Sequence, residues 1–530
     1  MLVTGEIFIN GQWLAGQGTS FQAVNPATGE TLEPLLTGAS AEQVGVAVAA
    51  AAAAALELKK LPLTQRAGFL RACAAEIMAL GDGLVERAMA ETALPRARIE
   101  GERARTCGQL NLFADVVLAG DFLEVRIDTA LPERQPLPRP DLRSFNLPLG
   151  PVVVFGASNF PLAFSVAGGD TAAAFAAGCP VLVKGHPSHP GTSELVARAL
   201  AAAAQKTGLP AGTFSLLTDS GHEVGRALVA APAVKTVAFT GSFAGGTALV
   251  KLAGERPEPI PVFAEMGSLN PVVLLPQRLQ ADAEQVADAF VASLTMGVGQ
   301  FCTNPGLVLG LAGPDLDRFI AAASAALAGQ SAGVMLNAGI QQAYAAGVVA
   351  AGRQPGVTTQ AVGEAAEGTL GCCCQPTLMS VSGADFIANP QLSHELFGPA
   401  SIVVSCRDLA ELKEAIAVLL GQLTGTIQGA PGELAAYSGL CDILGQRVGR
   451  LLINGFPTGV EVCHAMVHGG PFPATSDARF TSVGSAAIKR FLRPICLQNY
   501  PEELLPEPLR NSNPLKLRRL VNGEWTSAAL

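Results

Sequence analysis

The residue types best suited to chemistry sit in one glycine-punctuated loop, Gly297-Val298-Gly299-Gln300-Phe301-Cys302-Thr303-Asn304-Pro305-Gly306. Most free cysteines are small core residues. A lone cysteine in a polar loop between a helical and a strand pattern is instead placed to act as a nucleophile. A second isolated group is Glu265, in Pro261-Val262-Phe263-Ala264-Glu265-Met266-Gly267-Ser268-Leu269-Asn270-Pro271. Apolar flanks raise a carboxyl pKa and suit a general base near neutral pH. The alternative is a buried carboxylate satisfied by backbone donors. Three further loops follow strand patterns, at the strand ends where parallel sheets bind ligands. They are Gly156-Ala157-Ser158-Asn159-Phe160-Pro161, Lys184-Gly185-His186-Pro187-Ser188 and Gly241-Ser242-Phe243-Ala244-Gly245-Gly246. The last opens a helix and can turn N–H groups toward a phosphate. A plain tight turn has the same composition, and no GxGxxG fingerprint follows the first strand.

Other cysteines and histidines read as structural. The chain has 11 cysteines, an odd number without CxxC pairs, so reduced thiols are expected. Adjacent residues of Cys372-Cys373-Cys374 point to alternate sides of an extended chain, which disfavours a shared metal. His464 and His468 form an HxxxH spacing that would share one helix face. That stretch lacks the glutamate of a metalloprotease helix and runs into Gly469-Gly470-Pro471, so both histidines read as loop-structuring. His186 and His189 read the same way. No metal ligand set is assigned.

The elements that must position these groups need more than one core, because 530 residues exceed what a single core serves. With 49% hydrophobic and 15% charged residues the chain buries much surface, part of it between subunits. Net charge is -9 and no lysine/arginine block occurs, which argues against nucleic-acid or anionic-membrane partners. The most apolar run, Val44 to Leu56, is mostly alanine and reads as a packed helix too short to span a bilayer. Met1 is followed by neither a basic region nor a long apolar one, so no signal peptide and a cytoplasmic location are expected.

Residues 7–13 form a strand and an Asn-Gly tight turn, echoed at Leu520-Val521-Asn522-Gly523-Glu524-Trp525. Residues 40–118 are helical in pattern. Leu123, Val125 and Ile127 alternate with charges and predict a strand of a hairpin projecting from the body over 121–149. From 150 to 253 strands (152–156, 180–184, 214–217, 236–240) alternate with helices (164–177, 191–204, 224–230). Strands and helices alternate again from 261 to 452. This pattern predicts an α/β fold with two doubly wound, Rossmann-like parallel-sheet domains and a small β arm. Residues 1–120 and 150–260 would form a dinucleotide-binding domain and 261–455 a catalytic domain. Residues 121–149 and 490–530 would form an oligomerisation arm and tail.

Four motifs occur in order: Phe239-Thr240-Gly241-Ser242, Glu265-Met266-Gly267-Ser268-Leu269-Asn270-Pro271, Gly299-Gln300-Phe301-Cys302 and Glu395-Leu396-Phe397-Gly398-Pro399. Together they resemble the aldehyde dehydrogenase superfamily over nearly the whole chain. Val183 to Gly191 and Asn454 to Val462 resemble the branch of α-ketoglutaric semialdehyde (2,5-dioxovalerate) dehydrogenases, with NADP-dependent fatty aldehyde dehydrogenases close by.

The resemblance implies that Cys302 attacks an aldehyde and that Asn159 with the Cys302 N–H stabilises the oxyanion. It implies that Glu265 activates the water that hydrolyses the thioester. It places Lys184 and Glu395 on the two riboses, Gly241, Ser242 and Gly246 at the pyrophosphate, Phe397 near the nicotinamide and Ser188 in the cofactor loop. It implies a homodimer or homotetramer. Two positions depart from relatives: Ser158 stands where many have tryptophan, and Pro187 where many NAD-preferring ones have glutamate. NADP or NAD is therefore the expected cofactor, with NADP slightly favoured. An acidic substrate needs a cation. Arg105 is the first candidate, with Gln109 one turn on, Phe160, Phe301 and Phe456 as apolar lining, and Arg479 as a weaker cation. The expected reaction takes 2,5-dioxopentanoate to 2-oxoglutarate. Alternatives are a fatty or other aliphatic aldehyde, CoA-acylating oxidation, or an inactive binding protein of the same fold.

Overall fold

The computed structural model describes residues 2–366 and 371–530. Two seven-stranded sheets organise it. The first runs, in spatial order, Val262–Glu265, Thr236–Thr240, Val152–Phe155, Val181–Lys184, Phe214–Leu217, Ile7–Ile9, Gln12–Leu14. The first five strands in this order are parallel, and the chain reverses direction across the sheet between Val152–Phe155 and Thr236–Thr240. Val152–Phe155 is apolar on each face, and Thr236–Thr240 is apolar over its middle three residues, as a sheet covered by helices on two sides requires. The Asn10-Gly11 and Asn522-Gly523 turns both carry positive φ at each residue, as hairpin turns with right-handed strand twist demand.

The second sheet runs Thr358–Val362, Thr377–Ser382, Ala400–Cys406, Leu307–Leu311, Val272–Leu274, Gln422–Gln428, Val448–Ile453, parallel except at its first strand. The short strand Cys373–Cys374 pairs with Gly333–Val334 outside it. Burial pushes the Cys374 thiol up to about 12. Cys373 and Cys374 thus lie in a strand, with Cys372 just before it.

Three sequence expectations change. The helix expected over 164–177 begins only at Gly169. The buried Glu102 carboxylate takes the N–H groups of Leu162 and Ala163 at 2.8 and 2.9 Å, which holds that stretch as a turn. The alternating segment forms a strand only over Arg126–Asp128, because 121–123 is a 3-10 turn ending at left-handed Glu124. It does not project as a whole: Leu123, Val125 and Ile127 are buried in the first core, while Arg126, Asp128 and the tip around Leu131 and Leu137 are exposed. Arg126–Asp128 and Leu142–Pro148 join Leu492–Gln498 and the C-terminal hairpin in a five-stranded sheet. Finally, the apolar run lies in an 18-residue helix, Ala41–Leu58, long and apolar enough to cross a membrane by length and composition. Its Val44, Ala47, Val48 and Ala51 face packs on the first sheet, and Ser40 with Gln43 forms a capping box.

Glu91 fixes the helix that follows the Lys184 loop. Its carboxylate is fully buried and accepts from Gly191 N, Thr192 N and Thr192 Oγ1 at 2.7–2.8 Å, with Arg87 at 2.8 Å. It supplies acceptors to the first turn of Pro190–Lys206, which lacks a capping side chain of its own. Glu91→Ala should cost about 3 kcal/mol and lower the thermal midpoint by about 5 °C. An unchanged melting curve would show that water replaces the carboxylate.

Candidate functional site

The site lies where the carboxyl ends of the first sheet's strands meet the amino ends of the second sheet's strands. Glu265 ends Val262–Glu265, while Cys302, Pro399 and Ser268 lead into Leu307–Leu311, Ala400–Cys406 and Val272–Leu274. The Cys302 loop is backbone-held. Asn270, fully buried at φ 50°, donates from Nδ2 to Cys302 O at 2.9 Å and to Asn304 O at 2.8 Å. Gly297, Val298 and Gly299 are successive left-handed residues. Gly299 is obligatory, since a Cβ there would sit 2.4 Å from the Gly398 carbonyl carbon. Val298 is β-branched in that region, a conformation costing about 1–3 kcal/mol.

Cys302 Sγ lies 3.4 Å from His468 Nε2, and the same nitrogen lies 2.8 Å from Glu265 Oε1. Ser482 Oγ donates to Glu265 Oε2 at 2.5 Å. Burial and the adjoining Glu265 carboxylate push the Cys302 thiol well above its ordinary value, so it rests protonated. The expectation for Glu265 is reversed. Burial pushes its pKa up, but His468 beside it and the hydrogen bonds it receives outweigh burial and hold it below the ordinary value. Thiol and carboxylate meet at the same imidazole nitrogen, so an unprotonated Nε2 can take the thiol proton and then donate it to the carboxylate.

His468 was the residue that motif reading missed. The HxxxH frame assumes a helix, yet this stretch is irregular, His464 is exposed and His468 is buried. Thr481 and Ser482 bond the His468 backbone and carry its ring inward. Its Phe164 neighbour lies 6.3 Å away, centroid to centroid. No local sequence signal marks this contact, which spans 166 residues to Cys302.

Asn159 is buried in the loop after Val152–Phe155, and its Nδ2 donates to Gln300 O at 3.0 Å, beside the Cys302 segment. Phe160 and Phe301 meet edge to face at 5.5 Å. Arg98 lies over both rings, 4.4 and 4.5 Å from their centroids, a cation beside the nucleophile that motif reading did not select. Arg105 is half-buried on the same helix, Arg96–Ala119, donating to Val460 O and facing Phe164 at 5.8 Å. With Arg450, which donates to Pro457 O and Gly459 O, it holds the 457–460 loop. Two expected lining residues lie elsewhere. Gln109 is packed against Gly169 between helices, and Phe456 packs on Phe290 in the second core. Arg479 is an exposed partner of Asp477.

On the other side Lys184 Nζ pairs with Asp219 Oδ1 at 2.7 Å, a partner sequence reading did not identify. Ser188 Oγ accepts from Asn337 across the two halves at 3.0 Å. His189 bonds Ala157 O and Ser193, so it is loop-structuring as expected. Gly241 and Ser242 are exposed at the start of helix Phe243–Gly254, while Gly246 is buried with no room for a Cβ beside Met266. Glu395 and Phe397 border a small cavity with Gly299, Phe301 and Asn304. Burial pushes the Glu395 carboxyl up to about 7. An exposed helix N-terminus and a lysine–carboxylate pair, both at carboxyl ends of strands of one sheet, fit a dinucleotide's phosphates and ribose.

His468→Gln should slow iodoacetamide alkylation of Cys302 about tenfold while leaving the circular dichroism spectrum intact. An unchanged rate would assign the imidazole a purely structural role.

Comparison with known proteins agrees with this geometry. The model of the Aldehyde dehydrogenase family matches residues 13–461. The chain is 55% identical to alpha-ketoglutaric semialdehyde dehydrogenase 2 of Azospirillum brasilense, covering 99% of this chain and 100% of the relative. It is 48% identical to alpha-ketoglutaric semialdehyde dehydrogenase of Acinetobacter baylyi, covering 98% and 99%. Among solved structures, lactaldehyde dehydrogenase of Escherichia coli superimposes with TM-score 0.80 at 24% identity, covering 93% of this chain and 98% of that one. An aldehyde dehydrogenase C mutant of Pseudomonas syringae, complexed with NAD+ and octanal, superimposes with TM-score 0.79 at 22% identity, covering 94% and 97%. The likeness extends from motif order to fold and to nearly full-length identity, and the chain belongs to the aldehyde dehydrogenase family.

Proposed function

We propose that this chain oxidises 2,5-dioxopentanoate to 2-oxoglutarate with a nicotinamide cofactor. The observation that carries the chemistry is the contact series Cys302–His468–Glu265. The substrate reading is supported by full-length similarity to two α-ketoglutaric semialdehyde dehydrogenases. The thiol proton passes to His468 as Sγ attacks the aldehyde carbon. Asn159 and the Cys302 N–H steady the oxyanion, each donor lowering the barrier by roughly 3–4 kcal/mol. The cofactor, when bound, supplies a hydride acceptor. Glu265, kept ionised by His468, then takes a proton from the water that attacks the thioester and frees the acid. A hydrolytic base at this position disfavours the CoA-acylating alternative. The Cys302, Asn159 and Glu265 set disfavours an inactive binding protein.

Arg98 and Arg105, two turns apart on one helix, supply cations for the substrate carboxylate. Assays with an aldehyde panel should give 2,5-dioxopentanoate a kcat/KM about tenfold or more above aliphatic aldehydes, and Arg105→Met should erase most of that margin. Faster turnover of fatty aldehydes would sink the substrate reading and leave the family unaffected.

Cofactor choice turns on Lys184. Pro187 removes one carboxylate that would repel a 2′-phosphate, but Asp219 places another 2.7 Å from the lysine. We infer use of both NAD and NADP, with Asp219 restraining NADP. Asp219→Asn should raise the NADP/NAD ratio of kcat/KM about tenfold; an unchanged ratio would place the discrimination elsewhere. We also propose a cytoplasmic homodimer or homotetramer, supported by exposed Leu137, Leu504 and Trp525 on or beside the five-stranded sheet.

A further inference from the structure

We propose that Cys302, His468 and Glu265 form a three-ligand site for a thiophilic divalent cation, Zn2+, which caps the nucleophile reversibly. One sulfur, one imidazole nitrogen and one carboxylate oxygen lie within 4.8 Å of one another. Tetrahedral zinc with bonds of about 2.3 Å to sulfur and about 2.0–2.1 Å to nitrogen and oxygen spaces S···N at about 3.6 Å and N···O at about 3.3 Å. The separations here are 3.4 and 2.8 Å, so the cation requires only about half an ångström of opening between imidazole and carboxylate.

A second observation points the same way. Glu265 Oε1 is buried and 2.8 Å from Nε2 without hydrogen-bond alignment, and among the described residues the buried His468 Nδ1 has no partner. The imidazole is therefore not locked by an outer partner, and with Nε2 unprotonated the two ligand atoms, Nε2 and Oε1, face one position between them. A cation between them satisfies both. The mixed S, N, O set selects zinc over magnesium or calcium, which favour oxygen ligands alone. Three protein ligands leave a fourth position for water, the arrangement of an open zinc site. On binding, the Cys302 S–H bond is replaced by S–Zn and the proton leaves to solvent. The same sulfur cannot then attack an aldehyde, so zinc and aldehyde exclude each other. The HxxxH pair considered from sequence contributes only His468, since His464 is exposed.

The test uses the full-length protein without cofactor or aldehyde, so its outcome is independent of the substrate reading. Alkylation of Cys302 by iodoacetamide is followed by peptide mass spectrometry, which separates it from the other cysteines. Micromolar ZnCl2 should slow this reaction about tenfold or more, EDTA should restore it, and MgCl2 should leave it unchanged. In His468→Ala and Glu265→Gln, each compared with its own zinc-free rate, protection should fall below about twofold. Because either variant can disturb folding, zinc stoichiometry by equilibrium dialysis is also compared between wild type and Cys302→Ser, which should lose one zinc per chain. Equal alkylation of the wild type with and without zinc overturns the proposal. So does undiminished protection in both variants, or unchanged stoichiometry in Cys302→Ser.

Discussion

A buried carboxylate against an imidazole is the contact on which this structure depends. Glu265 sits 3% exposed at the end of Val262–Glu265, the outermost strand of the first sheet, 2.8 Å from His468. An unpaired charge there would be prohibitive or would take up a proton. His468 allows Glu265 to stay ionised, and burial together with that ionised group keeps the neighbouring thiol protonated at rest. The pairing requires the 468–482 segment to lie along the first sheet. Met266 N to Ala474 O and Ser476 N to Ala264 O, at 2.8 and 2.9 Å, hold it there.

Other buried glutamates in this chain behave differently. Glu91, Glu102, Glu194, Glu411 and Glu433 each accept from backbone N–H groups and fix loops or helix starts. Such acceptors serve donors that helices leave unpaired. Glu265 instead takes a hydroxyl and an imidazole, two side chains that can exchange protons. The distinction between a structural and a reactive carboxylate lies in its partners, not in its burial.

The site also depends on the meeting of two sheet edges. One sheet presents the carboxyl ends of its strands, the usual ligand-binding edge of a parallel sheet. The other presents its amino ends, where Asn270 bonds the Cys302 loop and Gln422 bonds Ser268 and Leu269. Gly267 approaches Glu395 so closely that a Cβ would lie 2.3 Å from its carboxylate. Nucleophile, base and cofactor-side carboxylate thus share one seam.

Sequence alone determined the strands Phe214–Leu217, Thr236–Thr240 and Leu307–Leu311, both Asn-Gly turns and the candidacy of Cys302 and Glu265. These are local properties: apolar runs, turn chemistry and a cysteine or carboxylate in an unusual setting. The ordered motifs added roles to residues that composition could only single out. Tertiary structure decided the rest. It joined His468 to Cys302 across 166 positions and Asp219 to Lys184 across 35. It reversed the direction of the Glu265 shift, buried part of the hairpin that alternation had placed in solvent, and moved Gln109 and Phe456 into helix and core packing. Periodicity reports which residues avoid water, whereas the partner of a buried charge is set by packing between distant segments, which no local pattern encodes.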